Sequence, residues 1–293
     1  GIFTGERKGR DVLQEQDLLT TVVEQEAEKT SVHVTGPMIE FIEPGNAEAT
    51  IERMVQPDIR IVSLTITEGG YFLNSDQEFD TEHADIKADA ASLQSPKTVF
   101  GLILRALQLR KEAGVAPFTV MSCDNIPHNG SVARNAVVGL AKLYEPAFAS
   151  WIEENVAFPN SMVDRITPAT TDRERALLAD EFGIEDGWPV FCEDFKQWVM
   201  EDNFSNGRPA FEEVGVQFSD QVAAFEFMKL RILNGGHSLL AYPAAMLDVE
   251  YVHEAKAHPL IRGFLRKVVT EEVIPNVPPV PGADLNDYFD LIE

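Results

Sequence analysis

The segment 59–67 (IRIVSLTIT) is the feature that most limits the fold of this chain. It is rich in β-branched and apolar residues, and polar and apolar positions do not alternate cleanly along it. A strand with one face in water alternates, so this continuous run predicts a strand buried on both faces, as in a parallel sheet covered by helices. A second short run of the same kind, 118–122 (FTVMS), follows further along the chain.

Helical segments separate and follow these two predicted strands. Residues 98–113 (TVFGLILRALQLRKEA) have apolar side chains at helical spacing and basic residues in the last turn, with Gly114 as the stop. Residues 131–151 predict another amphipathic helix. Strand, helix, strand and helix in this order form right-handed βαβ units, which predicts a doubly wound α/β sheet.

The pattern changes after Val156, where prolines divide the chain into short segments. We interpret 189–198 and 213–218 as extra strands and loops attached to the first domain. From about residue 219 the chain becomes helical. Ser219 and Asp220 can cap a first helix that reaches about residue 242, and 252–273 suggest more helix. Residues 274–281 (IPNVPPVP) contain four prolines and predict an extended connector.

Charge and cysteine content exclude several classes of protein. The chain has 24 Lys and Arg against 48 Asp and Glu, a formal net charge of −24. Such a surface repels phosphate backbones and anionic membranes, so neither nucleic acid nor membrane is an expected partner. Two cysteines, Cys123 and Cys192, are too few for a disulfide scaffold or a four-thiolate zinc site. With no apolar run of about 18 residues and no secretory leader, we expect a cytoplasmic protein.

Two loops are candidate ligand sites because ligands of parallel α/β sheets bind beyond the carboxyl ends of the strands. The first loop is Thr67, Glu68, Gly69 and Gly70, where paired glycines let the backbone come close to a ligand. A tight turn without a ligand would carry the same residues. The second loop ends at Asn125, which can orient a substrate oxygen or simply cap the next turn.

A more informative set of polar residues lies in the first predicted helix of the last part. With Lys229 at 0°, an ideal helix places Glu226 at about +60°, His237 at about +80° and Asn234 at about +140°. All four then share one side, with leucines between them. Gly235 and Gly236 fall within the helix, where glycine lowers helix stability relative to alanine. Glycine at these positions is easier to explain if another group approaches the backbone closely. A solvent-facing polar stripe is the alternative.

The chemistry available to such a set is acid–base catalysis on an alcohol. Burial among apolar walls disfavours the charged form of a lysine, so Lys229 can accept a proton near neutral pH. Asn234 and His237 can hydrogen-bond the developing oxyanion, and Glu226 can relay the proton to solvent. The histidines and cysteines have no zinc-like spacing, which disfavours a zinc-dependent alcohol dehydrogenase and predicts no metal.

Six segments of the sequence resemble the mannitol dehydrogenase family, the metal-independent, long-chain polyol dehydrogenases. The strongest are 119–133 (TVMSCDNIPHNGSVA), 159–168 (PNSMVDRITP) and 227–240 (FMKLRILNGGHSLL). The Lys-x4-Asn-x2-His pattern of Lys229, Asn234 and His237 matches the catalytic signature of that family. Residues 61–71, 198–209 and 214–222 are also similar, so the resemblance covers essentially the whole chain.

The resemblance implies specific roles for individual residues. Lys229 would be the general acid/base of an NAD(P)-dependent oxidoreductase, and Asn234, His237 and Asn125 would position and polarise the reacting oxygen. Glu226 would lie on the proton path and Asp164 would support the active site. The loop of Thr67, Glu68, Gly69 and Gly70 would lie against the cofactor. Glu6 falls near the acidic residue with which the family binds the adenosine ribose, and a carboxylate there favours NAD over NADP.

The resemblance also implies how the chain is organised. It predicts a Rossmann-like doubly wound α/β domain at 1–219, with a β-rich extension at about 156–219, followed at 220–293 by the start of a mainly α-helical substrate domain. The family opens with a strand and a glycine-rich turn, and the sequence has no GxGxxG. The first βα unit is therefore expected to be missing, and since the family also continues past the proline-rich connector, the chain is expected to be part of a longer enzyme.

The expected reaction is the interconversion of a mannitol-like polyol and a fructose-like ketose. Fructuronate or tagaturonate reductases of the same family take a uronate instead, and the few basic residues favour the neutral sugar. The alternative from another class of protein is a non-catalytic sugar-binding derivative of the fold. The intact Lys229, Asn234 and His237 argue against it. The sequence leaves the oligomeric state open.

Overall fold

A computed structural model describes residues 2–3, 7–25 and 29–293 of the chain. Its strands, in chain order, are β1 (Ile2–Phe3), β2 (Thr20–Gln25), β3 (Thr30–Thr35), β4 (Glu40–Phe41), β5 (Ile61–Leu64), β6 (Thr119–Ser122), β7 (Ser161–Asp164), β8 (Val190–Glu193), β9 (Gln197–Met200) and β10 (Gln217–Phe218). Its α-helices are α1 (Arg7–Glu15), α2 (Ala47–Val55), α3 (Ala84–Ala91), α4 (Val99–Glu112), α5 (Asn129–Tyr144), α6 (Pro146–Asn155), α7 (Asp172–Phe182), α8 (Val222–Lys229), α9 (Gly235–Met246), α10 (Val252–Ala257), α11 (Pro259–Val268) and α12 (Leu285–Ile292).

The strands pair in a mixed pattern. β5 and β6 are parallel, with Ile61 opposite Thr119 and Leu64 opposite Ser122. β1 pairs parallel with β4, β2 pairs with both β3 and β8, and β9 lies between β10 and β7. Strands and helices alternate in the first part and helices dominate the last, which confirms the predicted fold class.

The pair of β5 and β6 is buried less evenly than the sequence predicts. Every residue of β6 is buried, but in β5 only Leu64 is buried and Ser63 is exposed. A groove runs beside β5 and leaves one face of that strand open. The prediction of burial on both faces is therefore correct for β6 and wrong for β5. β5 also ends at Leu64, because the following residues turn into a loop.

Capping residues, glycine and proline determine where the helices that flank these strands begin and end. The Thr98 hydroxyl accepts a hydrogen bond from the Gly101 amide at 3.0 Å and caps α4. Gly114 follows that helix with a φ of +67°. The single helix predicted over 131–151 is wrong in detail, since the chain breaks at Glu145 and α6 starts at Pro146. Proline fits the first turn of a helix and cannot continue the preceding one.

The last part is an interrupted helical stack. Ser219 accepts from the Gln221 amide at 3.0 Å, and α8 starts one residue later. A π-helical turn, Leu230–Asn234, joins α8 to α9. The connector predicted over 274–281 opens with a 3₁₀ turn at Ile274–Asn276 instead of extended chain, because Pro275 lies in its first turn, where proline is tolerated. Among the described residues, no helix is long and apolar enough to span a membrane.

Four apolar clusters lie among the described residues, and the two largest hold these parts together. One lies between α4, α5 and β6, and the other fills the centre of the helical stack and reaches β7 and β9. α8 packs directly on β7 and β9. The end of α8 is thereby fixed against the carboxyl ends of the strands of the first part.

Candidate active site

Lys229 is the centre of the candidate site. It is the last residue of α8 and is buried, with its Nζ donating to Asn125 Oδ1 at 2.9 Å and to the Val163 carbonyl at 3.1 Å. Asn125 follows β6 and Val163 lies in β7. The helical part therefore delivers a single buried amine to the point where two strands of the first part end.

Asp164 lies beside this amine, with 3.7 Å between its Oδ1 and Lys229 Nζ. Its side chain is 8% exposed. Burial raises the pKa of Asp164 above its ordinary value, and the charges of Lys229 and His237 oppose that rise. Asp164 Oδ2 has no hydrogen-bond partner among the described residues. Lys229 and Asp164 thus form a buried ion pair in which one carboxylate oxygen is unused.

Glu226 lies one helical turn before Lys229 in α8. Its carboxylate accepts from the His128 amide at 3.3 and 3.4 Å, and burial raises the pKa of Glu226. Glu226 and Lys229 line a cavity of about 30 Å³, large enough for one or two waters. The role of Glu226 on a proton path stays a prediction.

The π-helical turn changes the positions that an ideal helix predicts for Asn234 and His237. A π turn holds more residues than an α turn, so the predicted angles do not apply beyond residue 230. His237 is exposed, its Nδ1 lies 3.1 Å from the Leu233 carbonyl, and its charge acts on Asp164. Asn234 is partly buried at the end of the turn, and its carbonyl accepts from the Ser238 hydroxyl at 3.4 Å.

The structure thus brings four of the six predicted catalytic residues into one cluster: Asn125, Asp164, Glu226 and Lys229. His237 flanks the cluster on the side of Asp164. The two glycines of α9 do not meet a close neighbour, since an added Cβ would lie 3.7 Å from Leu265 at Gly236 and 3.6 Å from the Leu230 carbonyl at Gly235. Close packing among the described residues does not explain why glycine occurs there.

A cavity of about 620 Å³ opens on the cluster. Asn125, Asp164 and Lys229 line it together with Cys123 and Trp198. Its size is within the ordinary range for small-molecule sites. Burial raises the pKa of the Cys123 thiol to about 11, so this thiol is protonated near neutral pH and is a poor nucleophile.

The loop of Thr67, Glu68, Gly69 and Gly70 is held by a residue that sequence reasoning missed. The Asp124 carboxylate accepts from the Ile66 amide at 3.0 Å, the Thr67 amide at 2.8 Å and the Tyr71 hydroxyl at 2.6 Å. Burial raises the pKa of Tyr71 far above its ordinary range, so its hydroxyl remains a donor. An Asp directly after a buried strand was the available signal.

Asn129 is a second residue that the sequence analysis missed. Its buried Nδ2 donates to the carbonyls of Ser122, Asp124 and Ser161 at 2.8 to 3.2 Å. Its Oδ1 accepts from the Ser161 amide at 2.9 Å. This side chain fixes the ends of β6 and β7 relative to each other, and therefore positions Asn125 and Asp164.

Two further predictions concern the cofactor and metals. Glu6 lies outside the described residues, so its placement stays a prediction. Within residues 2–3, 7–25 and 29–293, no group of three or more His, Cys, Asp or Glu side chains is arranged to hold a metal ion.

Comparison with known proteins identifies the family. The model of the mannitol dehydrogenase Rossmann domain matches residues 5–213, and that of the mannitol dehydrogenase C-terminal domain matches residues 221–293. Mannitol 2-dehydrogenase of Cereibacter sphaeroides is 55% identical over 100% of this chain and 61% of that protein. The enzyme of the same name from Phaeosphaeria nodorum is 47% identical, over 97% of this chain and 51% of its own length.

Two solved structures are similar over nearly the whole chain. A ternary complex of Pseudomonas fluorescens mannitol 2-dehydrogenase with NAD and D-mannitol has a TM-score of 0.89 and 48% identity, covering 98% of this chain and 59% of that one. A substrate-free D-sorbitol dehydrogenase has a TM-score of 0.93 and 40% identity, covering 99% and 62%. The chain spans between half and two thirds of the length of these relatives. With both domain models matched in order, the chain belongs to the mannitol dehydrogenase family.

Proposed function

We propose that the protein interconverts a mannitol-like polyol and a fructose-like ketose by hydride transfer, with NAD as cofactor and without a metal. The observation that carries this proposal is the buried Lys229 amine, held by Asn125 and Val163 beside Asp164 at a cavity of small-molecule size. The relatives named mannitol 2-dehydrogenase and the neighbour solved with NAD and D-mannitol support it.

The cluster suits proton transfer to and from a substrate oxygen. In the direction of polyol oxidation, neutral Lys229 accepts the hydroxyl proton as the carbon is oxidised, and in ketose reduction the ammonium returns it. Asn125 Oδ1 is engaged by the lysine, so its Nδ2 remains to donate to the same substrate oxygen. Asp164 favours the ammonium at 3.7 Å, and the water-sized cavity toward Glu226 provides the proton route to solvent. Asn234 and His237 complete the proposed catalytic set from α9 and the turn before it.

NAD is proposed to bind along the first part, with Thr67, Glu68, Gly69 and Gly70 against it and Glu6 at its ribose. When bound, it supplies the acceptor for the hydride. The residues present fit such a group, since a Cβ at Gly69 would meet nothing within 4 Å. A groove of about 300 Å³ also runs along the open face of β5, between Ser63 and Asn46.

The same loop provides a prediction that separates its two glycines. A Cβ at Gly70 would come within 2.9 Å of the Ile66 side chain, whereas Gly69 is open. Gly70→Ala should lower the melting temperature, because Ile66 must shift. Gly69→Ala should leave the melting temperature unchanged and weaken NADH binding, because the new methyl group fills space that the cofactor needs. Thermal unfolding and NADH fluorescence titration measure the two effects, and equal NADH affinity in Gly69→Ala and wild type would contradict the placement.

The division of the chain at residues 219 and 220 remains part of the proposal. It is supported by the two family models, which leave only residues 214–220 between them. The first unit would bind the cofactor and the second would supply Lys229.

The proposed function is tested by incubating the complete protein, of which this chain is expected to be a part, with NAD and a panel of polyols while NADH absorbance is followed. We expect mannitol to be oxidised and the rate to be insensitive to a chelator. Loss of activity with the chelator would contradict the metal-free mechanism. Preference for fructuronate or tagaturonate over fructose in the reverse reaction would reassign the substrate. NADH or sugar binding without any turnover would instead indicate a non-catalytic sugar-binding protein.

A further inference from the structure

Arg208 lies in the loop between β9 and β10 and makes several contacts with it. Its side chain is 17% exposed, and it donates to both carboxylate oxygens of Asp202, from Nε at 2.7 Å and from Nη2 at 3.0 Å. Nη1 donates to the Pro209 carbonyl at 3.0 Å and to Glu212, in the 3₁₀ turn Phe211–Val214, at 2.6 Å. The planar guanidinium suits this forked geometry, which a lysine ammonium lacks.

The same guanidinium also lies over two aromatic rings. Its Cζ is 3.8 Å from the ring centroid of Phe218, in β10, and 5.9 Å from that of Phe204. A cation over an aromatic face is attracted by it, and more strongly where water is excluded. Arg208 therefore contacts the following chain at two points, Glu212 and Phe218.

The cavity at Lys229 takes part of its wall from the chain between these two points. Residues 214–216, the wall segment, have the sequence Val-Gly-Val, and all three line the cavity. Val214 is exposed and Val216 is buried. These apolar residues contribute contact area to a bound molecule and take no part in proton transfer.

Two backbone hydrogen bonds fix the position of the wall segment. The Gly215 amide donates to the Glu212 carbonyl at 3.2 Å, and the Val216 amide donates to the Phe211 carbonyl at 3.1 Å. Both acceptors belong to the 3₁₀ turn, which Arg208 holds through Glu212. Hydrogen bonds in such short turns have poor geometry, so the turn depends on side-chain contacts of this kind.

We propose that Arg208 is a positioning residue, which holds the wall segment in place at the cavity by contacting the chain on both sides of it. This positioning is a property of the ligand-free chain. Its effect on polyol binding rests on the proposed function.

The positioning is tested by hydrogen exchange at the Gly215 and Val216 amides in the complete protein. Arg208→Met retains much of the side-chain volume but removes the charge and the hydrogen bonds. Exchange at both amides should accelerate about tenfold, the effect of losing one hydrogen bond to a charged group. Unchanged exchange in a folded Arg208→Met protein would overturn the proposal.

Arg266→Met is the matched control for this experiment. Arg266 pairs with the carboxylates of Asp290 and Glu293, and its Cζ lies 5.6 Å from the ring centroid of Phe289. None of these four residues lines the cavity at Lys229. The control should leave exchange in the wall segment unchanged, and equal acceleration in the two variants would overturn the proposal.

Glu212→Gln covers the case in which Arg208→Met does not fold. The Glu212 side chain is 54% exposed, so its replacement leaves the apolar clusters intact. Loss of this exposed ion pair should accelerate exchange at Gly215 and Val216 about threefold. In that case, unchanged exchange in Glu212→Gln would overturn the proposal.

Activity gives a readout that a purely structural role would not change in the same way. An apolar wall binds the substrate and the transition state equally, so Arg208→Met should raise KM for mannitol about tenfold and leave kcat within about twofold. A fall in kcat with unchanged KM would contradict the assignment of Arg208 to the cavity wall. If exchange accelerates but the wild-type protein oxidises no polyol, the positioning stands and the proposed function fails.

Discussion

Lys229→Ala is expected to slow polyol oxidation about 10²- to 10⁴-fold, the usual contribution of a positioned general base. The reason is that the buried amine is the group that Asn125 and Val163 hold at the cavity. NADH affinity should stay within about twofold of wild type, because Lys229 belongs to the helical part and not to the Thr67–Gly70 loop. Steady-state rates and NADH fluorescence titration measure both quantities.

Two further variants make this result interpretable. Lys229→Ala removes both the amine and the buried side-chain volume, so Lys229→Met, which retains the volume, separates the two effects. Both variants leave Asp164 buried without its partner, so the folding of each is checked by thermal unfolding. Lys142→Ala removes an exposed lysine that pairs with Glu153 at the surface, and it should retain wild-type activity. Undiminished activity in a folded Lys229→Ala or Lys229→Met protein would rule out the lysine mechanism.

Asp124→Asn is expected to release the loop that follows β5. The carboxylate accepts three hydrogen bonds there, from two amides and the Tyr71 hydroxyl. An amide in its place directs an N–H toward one of these donors, so at least one bond is lost. The free energy of unfolding should fall by about 2 kcal/mol, and hydrogen exchange at the Ile66 and Thr67 amides should accelerate. NADH should bind at least about tenfold more weakly, because binding must then order the loop. A loss of about 1.4 kcal/mol in binding free energy corresponds to a tenfold loss of affinity.

Asp89→Asn is the matched control for this experiment. Asp89 is a buried carboxylate that accepts from the Lys97 amide at 2.7 Å, the Thr98 amide at 3.0 Å and the Thr98 hydroxyl at 2.7 Å. Its replacement should lower stability by a similar amount without accelerating exchange at Ile66 and Thr67. Slow exchange at those two amides in Asp124→Asn would show that something else holds the loop.

Local signals in the sequence predict much of this fold. The basic last turn, Gly114 as a stop and the apolar segment 118–122 give α4 and β6 nearly as observed, because each depends on neighbouring residues. Pro146 explains the break between α5 and α6 for the same reason, although the helical period across it suggests one helix. The exposed residue of β5 is Ser63, which lies between the apolar Val62 and Leu64. This short alternation was the available signal, and the prediction of burial on both faces gave it too little weight.

The site was less accessible to reasoning from residues alone. The helical angles correctly placed Glu226 and Lys229 on one side, but the π-helical turn invalidates them for Asn234 and His237. The contact of Lys229 with Asn125 joins residues 104 positions apart, and it was expected only from the family resemblance. Asn129 and Asp124 act through buried contacts with distant backbone groups, which no periodicity reports.

Hydride transfer is tested most directly with mannitol that carries deuterium at both C2 and C5, because these two carbons are equivalent in mannitol. The protein is mixed with this substrate and NAD, and the NADH formed is analysed by mass spectrometry. We expect deuterium to appear in NADH with wild-type protein and its transfer to be slowed about 10²- to 10⁴-fold in Lys229→Met. NADH formed without deuterium, or transfer at an equal rate in the two proteins, would contradict the proposed mechanism.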